Sequence, residues 1–204
     1  MAKAPADPAA APPFYGLSPM KPPSRLAHIV YRTSRFEVMV AWYAFVLNAK
    51  PAFKNDGIAF LAYDDEHHRV AFLNQPGLAD RPVGTAEVNH VAFTYDRLSD
   101  LLDNHDRLRD AGIHPVLTIN HGPTTSFYYA DPDGHRIECQ VDNYPTVEAA
   151  GEFFYSEAFA VNPIGVDIDP NELRRRLAAG EDESSVKLRP ASGPRDVTDL
   201  GGIG

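Results

Sequence analysis

The stretch HRIECQV (residues 135–141) repeats an earlier stretch, HRVAFLN (68–74), with one telling change. Each sets His-Arg before a β-branched residue and a short apolar run, the composition of a buried strand. The change falls on the fourth residue, Ala71 in the first copy and Glu138 in the second. Working outward, each copy closes a segment that opens on a strand-like run bearing a histidine: LAHIVYRT (26–33) with His28, and VNHVAFTYD (88–96) with His90. A helical pattern follows in both. In the first half it is FEVMVAWYAFVLNA, with Val38, Trp42, Phe45 and Val46 at helical spacing; in the second it is LSDLLDNHDRLRDAG, with Leu98, Leu101, Leu102 and Leu108 and a stop at Gly112. Then come PAF, a KNDG turn, IAFLAY and the first copy, matched by HPVLTIN, SFYYA, a DPDG turn and the second. Each half reads β-α-β-β-β. Internal duplication of this kind decides the fold before any single element does. The fold class expected is α+β, with paired β-α-β-β-β modules (about 24–78 and 86–147) forming one half-open, barrel-like sheet.

The flanks differ in composition. Residues 1–23 hold six Ala and seven Pro and read as a flexible arm. Residues 148–180 start aromatic and contain a helix pattern from about Asn171 to Ala179, an extension expected to pack on the domain or on a partner subunit. Residues 181–204 are polar, end in glycines and read as a loose tail.

Composition narrows the function. Among 204 residues, 28 Asp and Glu outnumber 19 Lys and Arg, for a net charge of −9, which argues against nucleic acid as a partner. No apolar run reaches the roughly 20 residues that cross a bilayer, so no membrane partner is expected. The single cysteine, Cys139, cannot form an internal disulfide, and the N-terminus lacks the apolar core of a secretory signal; a cytoplasmic setting is the expectation. Aromatic residues at 153–159 suggest a homo-oligomer, a dimer in its simplest closed form.

The chemistry rests on histidine and on one carboxylate. Glu138 lies amid Ile137, Cys139 and Val141, and an unpaired buried carboxylate costs several kcal/mol. A metal ion removes that cost. Two histidines and one carboxylate on three strands form the facial arrangement that suits non-haem Fe(II), leaving the opposite face open. His28, His90 and Glu138 are the candidate ligands. Taken singly, Glu138 reads better as an edge-strand residue facing solvent, and the histidines as satisfied core residues; the placement of all three at duplicated positions favours the metal. Ala71 leaves the fourth position of a symmetric site without a ligand, so substrate or water can enter. His68 is the candidate proton acceptor, against the plainer reading of a surface histidine in the turn DDEHHR. His121 and Tyr128 offer hydrogen bonds, although Tyr128 between Phe127 and Tyr129 also reads as core.

These features resemble the vicinal oxygen chelate (glyoxalase) superfamily, and within it the type I extradiol ring-cleaving dioxygenases in a single-module form. The resemblance covers roughly residues 24–147 and is carried by the duplicated modules, the DPDG turn followed by Arg-Ile-Glu, the His67-His68 pair and the SFY run ending at Tyr128. It implies Fe(II) held by His28, His90 and Glu138, with His68 as catalytic base and with His121 and Tyr128 near the substrate. The activity it implies is O2-dependent cleavage of an aromatic 1,2-diol of the catechol or 2,3-dihydroxybiphenyl type. Two rivals share the scaffold: a glyoxalase-like metal-dependent lyase or isomerase, which would want a fourth ligand where Ala71 stands, and a non-catalytic small-molecule binding protein.

Overall fold

A computed structural model describes residues 21–80, 82 and 86–196. The first half runs β1 (Ile29–Thr33), α1 (Phe36–Val46), β2 (Lys50–Lys54), β3 (Ile58–Ala62) and β4 (Val70–Asn74). The second runs β5 (His90–Tyr95), α2 (Leu98–Asp110), β6 (Leu117–Asn120), β7 (Thr124–Ala130) and β8 (Arg136–Asp142). The expected β-α-β-β-β order is present twice. The Ala/Pro-rich arm lies outside the described residues, apart from 21–23, which are exposed.

Register shows how deep the repeat goes. β1 runs parallel to β4 with Val30 beside Ala71, and β5 parallel to β8 with Ala92 beside Glu138. On the other side of each closing strand, Phe60 pairs with Ala71 and Tyr128 with Glu138. The helices repeat as well. Phe36, Met39, Val40, Tyr43 and Val46 are buried in α1; 62 positions on, Leu98, Leu101, Leu102, His105 and Leu108 are buried in α2. This corrects the face expected for α1. Of its four expected positions only Val46 is buried, while Val38 is 56% and Phe45 41% exposed. Phe45 instead carries the Arg107 guanidinium 4.4 Å above its ring, a contact that uses an outward-facing aromatic. The stop at Gly112 holds, with φ +78°, a conformation that suits glycine.

The single curved sheet is also corrected. There are two sheets, ordered β1-β4-β3-β2 and β5-β8-β7-β6-β9, the last strand (β9, Val166–Asp167) coming from the C-terminal extension. The halves meet through their helix sides. One buried core takes in Tyr31, Tyr43 and Phe72 from the first half and Leu98, Leu101, Tyr129 and Ile137 from the second. Tyr43 donates across it to the Asp131 carboxylate at 3.0 Å, and Arg107 donates to the Val46 carbonyl at 3.2 Å. Joining the halves puts the apolar faces of both helices into one core.

The extension continues through α3 (Val147–Phe153), α4 (Glu157–Val161), α5 (Pro170–Ala178) and α6 (Glu183–Val186). Through β9 it packs on β6 of its own chain. The loose tail is corrected over its described part. The Glu183 carboxylate accepts from the Leu98 amide at the start of α2, Val186 is buried, and Arg189 donates to the His121 carbonyl. Residues 197–204 lie outside the described residues. No helix among the described residues is long and apolar enough to cross a membrane.

Candidate active site

Each closing strand turns alternate side chains to opposite faces. Cys139 enters the helix-side core, where burial pushes its thiol up to about 12; Glu138 turns the other way. Glu138 is only 4% exposed. His90, the first residue of β5, brings Nε2 to 3.1 Å from Glu138 Oε2. Its other ring nitrogen, Nδ1, lies 2.8 Å from the side-chain oxygen of Asn89, which can only accept. His90 therefore donates through Nδ1, and its Nε2 faces the carboxylate, which it meets as a donor when it carries a proton and as a fellow metal ligand when it does not. Two electron-pair donors at that separation are stable when a cation, a proton or a metal ion, lies with them.

Burial raises the affinity of Glu138 for a proton, but hydrogen bonds from protonated His90 and from Ser126, with the charge of His90, outweigh it. The carboxyl is held below its ordinary value and stays anionic. Across the strand pair, Tyr128 stands beside Glu138, its ring edge-on to His90 at 5.2 Å. Burial, reinforced by the negative charge of Glu138, raises the Tyr128 phenol well above its usual range. It remains an O–H donor.

His121, between β6 and β7, is held at both nitrogens. Nδ1–H donates to the carbonyl of Ile164, so Nε2 is the bare nitrogen, and Tyr128 donates its hydroxyl proton to it at 2.9 Å. Burial lowers the proton affinity of His121 more than the Ile164 carbonyl raises it, which favours the neutral ring. The carbonyl is itself fixed. Asn162 Oδ1 accepts from the Ile164 and Gly165 amides, and Gly165, at φ +127°, passes so close to β6 that a Cβ would fall 2.5 Å from the Asn120 carbonyl oxygen.

The first half assembles a different group. His28 lies one residue before β1 and is exposed; its ring sits 4.4 Å from that of His68. His68 in turn stacks on Phe60 at 4.5 Å and exchanges a hydrogen bond with His67. Burial, followed by the nearby charges of His28 and His67, lowers the proton affinity of His68, so its ring is neutral at neutral pH. The sequence-derived set thus falls into two groups: His90, His121, Tyr128 and Glu138 in one, His28 and His68 in the other. Among the described residues of one chain, no three His, Cys, Asp or Glu side chains are gathered as a metal-ready cluster. The pair His90–Glu138 fits a divalent ion in donor chemistry and charge; among the described residues no third such donor is gathered with it.

Sequence reasoning missed the groups that orient these side chains: Asn89 on His90, Ser126 on Glu138, and Asn162 and the Ile164 carbonyl on His121. A signal existed for the last. The run NPIG (162–165) carries the Asn, Pro and Gly of a tight turn, though nothing in it announces which strand that turn meets.

Comparison with known proteins places these features. Residues 25–139 match the family model of the Glyoxalase/Bleomycin resistance protein/Dioxygenase superfamily. The chain is 44% identical over 157 residues to biphenyl-2,3-diol 1,2-dioxygenase 2 of Rhodococcus globerulus, covering 76% of this chain and 83% of that protein. It is 41% identical over 167 residues to biphenyl-2,3-diol 1,2-dioxygenase 3 of the same organism, covering 81% and 88%. Among solved structures, a glyoxylase/bleomycin resistance protein/dioxygenase domain from Frankia sp. EAN1pec superposes with a TM-score of 0.50 at 17% identity, over 59% of this chain and 99% of that one. The fosfomycin resistance protein FosX of Listeria monocytogenes gives 0.50 at 17% identity, over 64% and 98%. At such identities the superpositions speak for the fold alone. With the duplicated modules matched by the family model and most of the chain matched by the two Rhodococcus proteins, this chain belongs to the glyoxalase/bleomycin resistance protein/dioxygenase superfamily.

Proposed function

We propose that the protein is an extradiol dioxygenase, a metal-dependent oxidoreductase that cleaves an aromatic 1,2-diol of the biphenyl-2,3-diol or catechol type beside its hydroxyls and incorporates both atoms of O2. The observation that carries this reading is the pairing of half-buried His90 with buried Glu138 beside the His121–Tyr128 hydrogen bond, in a chain 44% identical to a biphenyl-2,3-diol 1,2-dioxygenase. The metal is Fe(II), held by His90 and Glu138 with His28 as third ligand. When bound, Fe(II) supplies coordination positions for the diol oxygens and O2 together and a path for electron density between them.

The residues divide the remaining work. Glu138, kept anionic, balances the dipositive charge. His68, neutral at neutral pH, accepts the proton a catechol loses when it chelates. Tyr128 remains protonated and presents its phenol oxygen toward the diol. His121, fixed with the proton on Nδ1, holds that phenol in one orientation through Nε2. Holding both reactants in one geometry supplies the rest of the rate by proximity.

The test is anaerobic reconstitution with Fe(II), then 2,3-dihydroxybiphenyl, then O2. A yellow ring-fission product forming with stoichiometric O2 uptake is the expected result. Diol that binds without being consumed would leave a binding protein, and turnover of a thiol adduct with Zn(II) or Ni(II), without O2, would leave a lyase or isomerase. The first-half partner of Glu138, Ala71, offers no fourth ligand and disfavours the second of these.

A further inference from the structure

We infer that the C-terminal extension is a functional part of the site: it holds the Ile164 carbonyl on His121 Nδ1, which leaves His121 an acceptor toward Tyr128 and draws the phenol proton away from the Glu138 carboxylate. Asn162 and Arg189 are the residues that position that carbonyl. The inference rests on the reading of Glu138 and Tyr128 above and adds what decides where the phenol proton goes.

Tyr128 stands between two acceptors. His121 Nε2 is 2.9 Å from its hydroxyl, and the carboxylate of Glu138, its register partner on β8, is also within hydrogen-bonding reach. A phenol has one proton, so it satisfies only one of them. The tautomer of His121 makes the choice. With the ring proton on Nδ1, Nε2 is bare and accepts from Tyr128. With it on Nε2, the ring donates to the phenol oxygen and the phenol proton turns to Glu138, where it occupies a lone pair that a cation would otherwise take. A carbonyl oxygen only accepts, so the Ile164 carbonyl selects the first arrangement.

That carbonyl comes from a turn 43 residues beyond His121, and the turn is gripped. Asn162, 1% exposed, uses its whole side chain to close it. Oδ1 accepts from the Ile164 and Gly165 amides at 3.0 and 2.8 Å, and Nδ2 donates to the Gly165 carbonyl at 3.0 Å and to Ser192 at 2.9 Å. Arg189 ties the turn to the loop. Its guanidinium donates to the Asn162 carbonyl at 2.8 Å and to the His121 carbonyl at 3.2 Å, a fork that a single ammonium does not reproduce. Two more contacts hold the same loop. Phe153 packs so closely on Gly122 that a Cβ there would fall 2.3 Å from its ring, and Asn120 Nδ2 donates to the Lys187 carbonyl at 2.9 Å.

The first half supplies the contrast. Its β2–β3 turn closes on itself, with Asn55 Oδ1 accepting from the Gly57 and Ile58 amides, and among the described residues no strand covers β2. It has Phe60 where the second half has Tyr128, so there is no phenol proton to direct. The clamp lies on the half that has the phenol.

A double-mutant cycle on the full chain tests this, read by the ¹⁵N shifts of the His121 ring and by the affinity for Zn(II), which is diamagnetic. Wild type should show one tautomer, protonated on Nδ1. Arg189→Met keeps an unbranched apolar stem and loses both hydrogen bonds. Its His121 ring should show mixed tautomers, and its Zn(II) affinity should fall by roughly 10-fold, the lower end of what an outer-shell change costs. In the Tyr128→Phe background the same substitution should leave Zn(II) affinity unchanged, since no phenol proton remains to reach Glu138. A clamp that only stabilises the fold lowers affinity equally in both backgrounds, and that result overturns the proposal. So does a ring that stays wholly Nδ1-protonated in Arg189→Met. If Arg189→Met does not fold, Arg189→Lys, which keeps the charge without the fork, is read in the same way. Wild type that binds no Zn(II) refutes the metal-site reading alone, because the ring shifts still decide the tautomer. Wild type with its ring proton on Nε2 refutes the proposal and leaves the metal-site reading standing.

Discussion

The two halves of this chain have the same strand order, the same register and the same buried helix positions, yet they carry different chemistry. At the carboxylate position the second half has Glu138 and the first has Ala71; at the neighbouring strand the second has Tyr128 and the first Phe60. On the helices His105 occupies the place of Tyr43. The outer strand β6 is covered by β9, whereas β2 is the uncovered end of its sheet. Duplication fixes a scaffold, and polar substitutions at a few equivalent positions decide which copy holds charge. The strand positions 71/138 and 60/128 lie outside the helix-side core cluster, so they change without disturbing its packing.

Making the halves alike should do the most damage. Ala71→Glu restores the missing carboxylate beside His28, where it would occupy a coordination position needed by the diol or O2. Turnover should collapse with the ion still bound. Without metal the variant should melt as if destabilised by several kcal/mol, since Ala71 is buried, and added Mn(II) should recover much of that loss. Thermal melts with and without Mn(II), read beside the activity assay, check both; instability indifferent to metal would separate Ala71 from the site.

Less severe is His68→Gln, which tests what the first half contributes besides a ligand. Diol and metal binding should persist while turnover falls by about 10²–10⁴-fold, the usual worth of a general base. Stopped-flow measurement of the O2-dependent phase gives the number; an unchanged rate returns His68 to the surface turn.

The cover on β6 can be loosened by Gly165→Ala, whose Cβ meets the Asn120 carbonyl and whose backbone is in the left-handed region. Strain of this kind costs about 1–3 kcal/mol. The Ile164 carbonyl should shift, freeing His121 Nδ1, with a loss of turnover up to about 10²-fold from misplacement alone. ¹⁵N shifts of the His121 ring should show the tautomer becoming mixed; a fixed tautomer with lowered activity would contradict the orienting role.

How much of this could be read in the sequence follows from which features are local. Strand and helix order, the duplication and the pairing of Ala71 with Glu138 were legible because two copies of one pattern constrain each other. The buried stripe of α1 was not, since aromatic and aliphatic residues surround that helix and spacing alone selects no face; only comparison with the leucines of α2 reveals it. The expected single sheet failed because edge-to-edge pairing leaves no mark on composition. The tail failed because its anchors, Glu183 on α2 and Arg189 on the His121 loop, are long-range contacts of polar residues. His28, His68, His90, His121, Tyr128 and Glu138 were nameable as a set, but their division between two faces was not.

The smallest expected effect distinguishes the helices. His105 is buried against Phe127 with Nδ1 unpartnered, and burial lowers its proton affinity below the unfolded value. The unfolded chain therefore binds a proton that the folded chain resists. Stability should be unaffected above about pH 6.5 and fall below it, with a slope approaching about 1.4 kcal/mol per pH unit for this one group. His105→Phe should flatten that part of the pH–stability curve; an identical curve would place the acid sensitivity elsewhere.

The claim that the two halves build one centre is tested most directly by counting the Mn(II) bound to His28→Ala beside wild type and Glu138→Gln. His28 lies just before β1 of one sheet and Glu138 on β8 of the other, so a common ion is what would couple them. Wild type should bind one ion per chain. Both variants should lose affinity by more than the roughly 10–100-fold that removing an outer-shell partner costs. Full stoichiometry and undiminished affinity in His28→Ala would contradict the account, leaving Glu138 and His90 as a site of the second half alone.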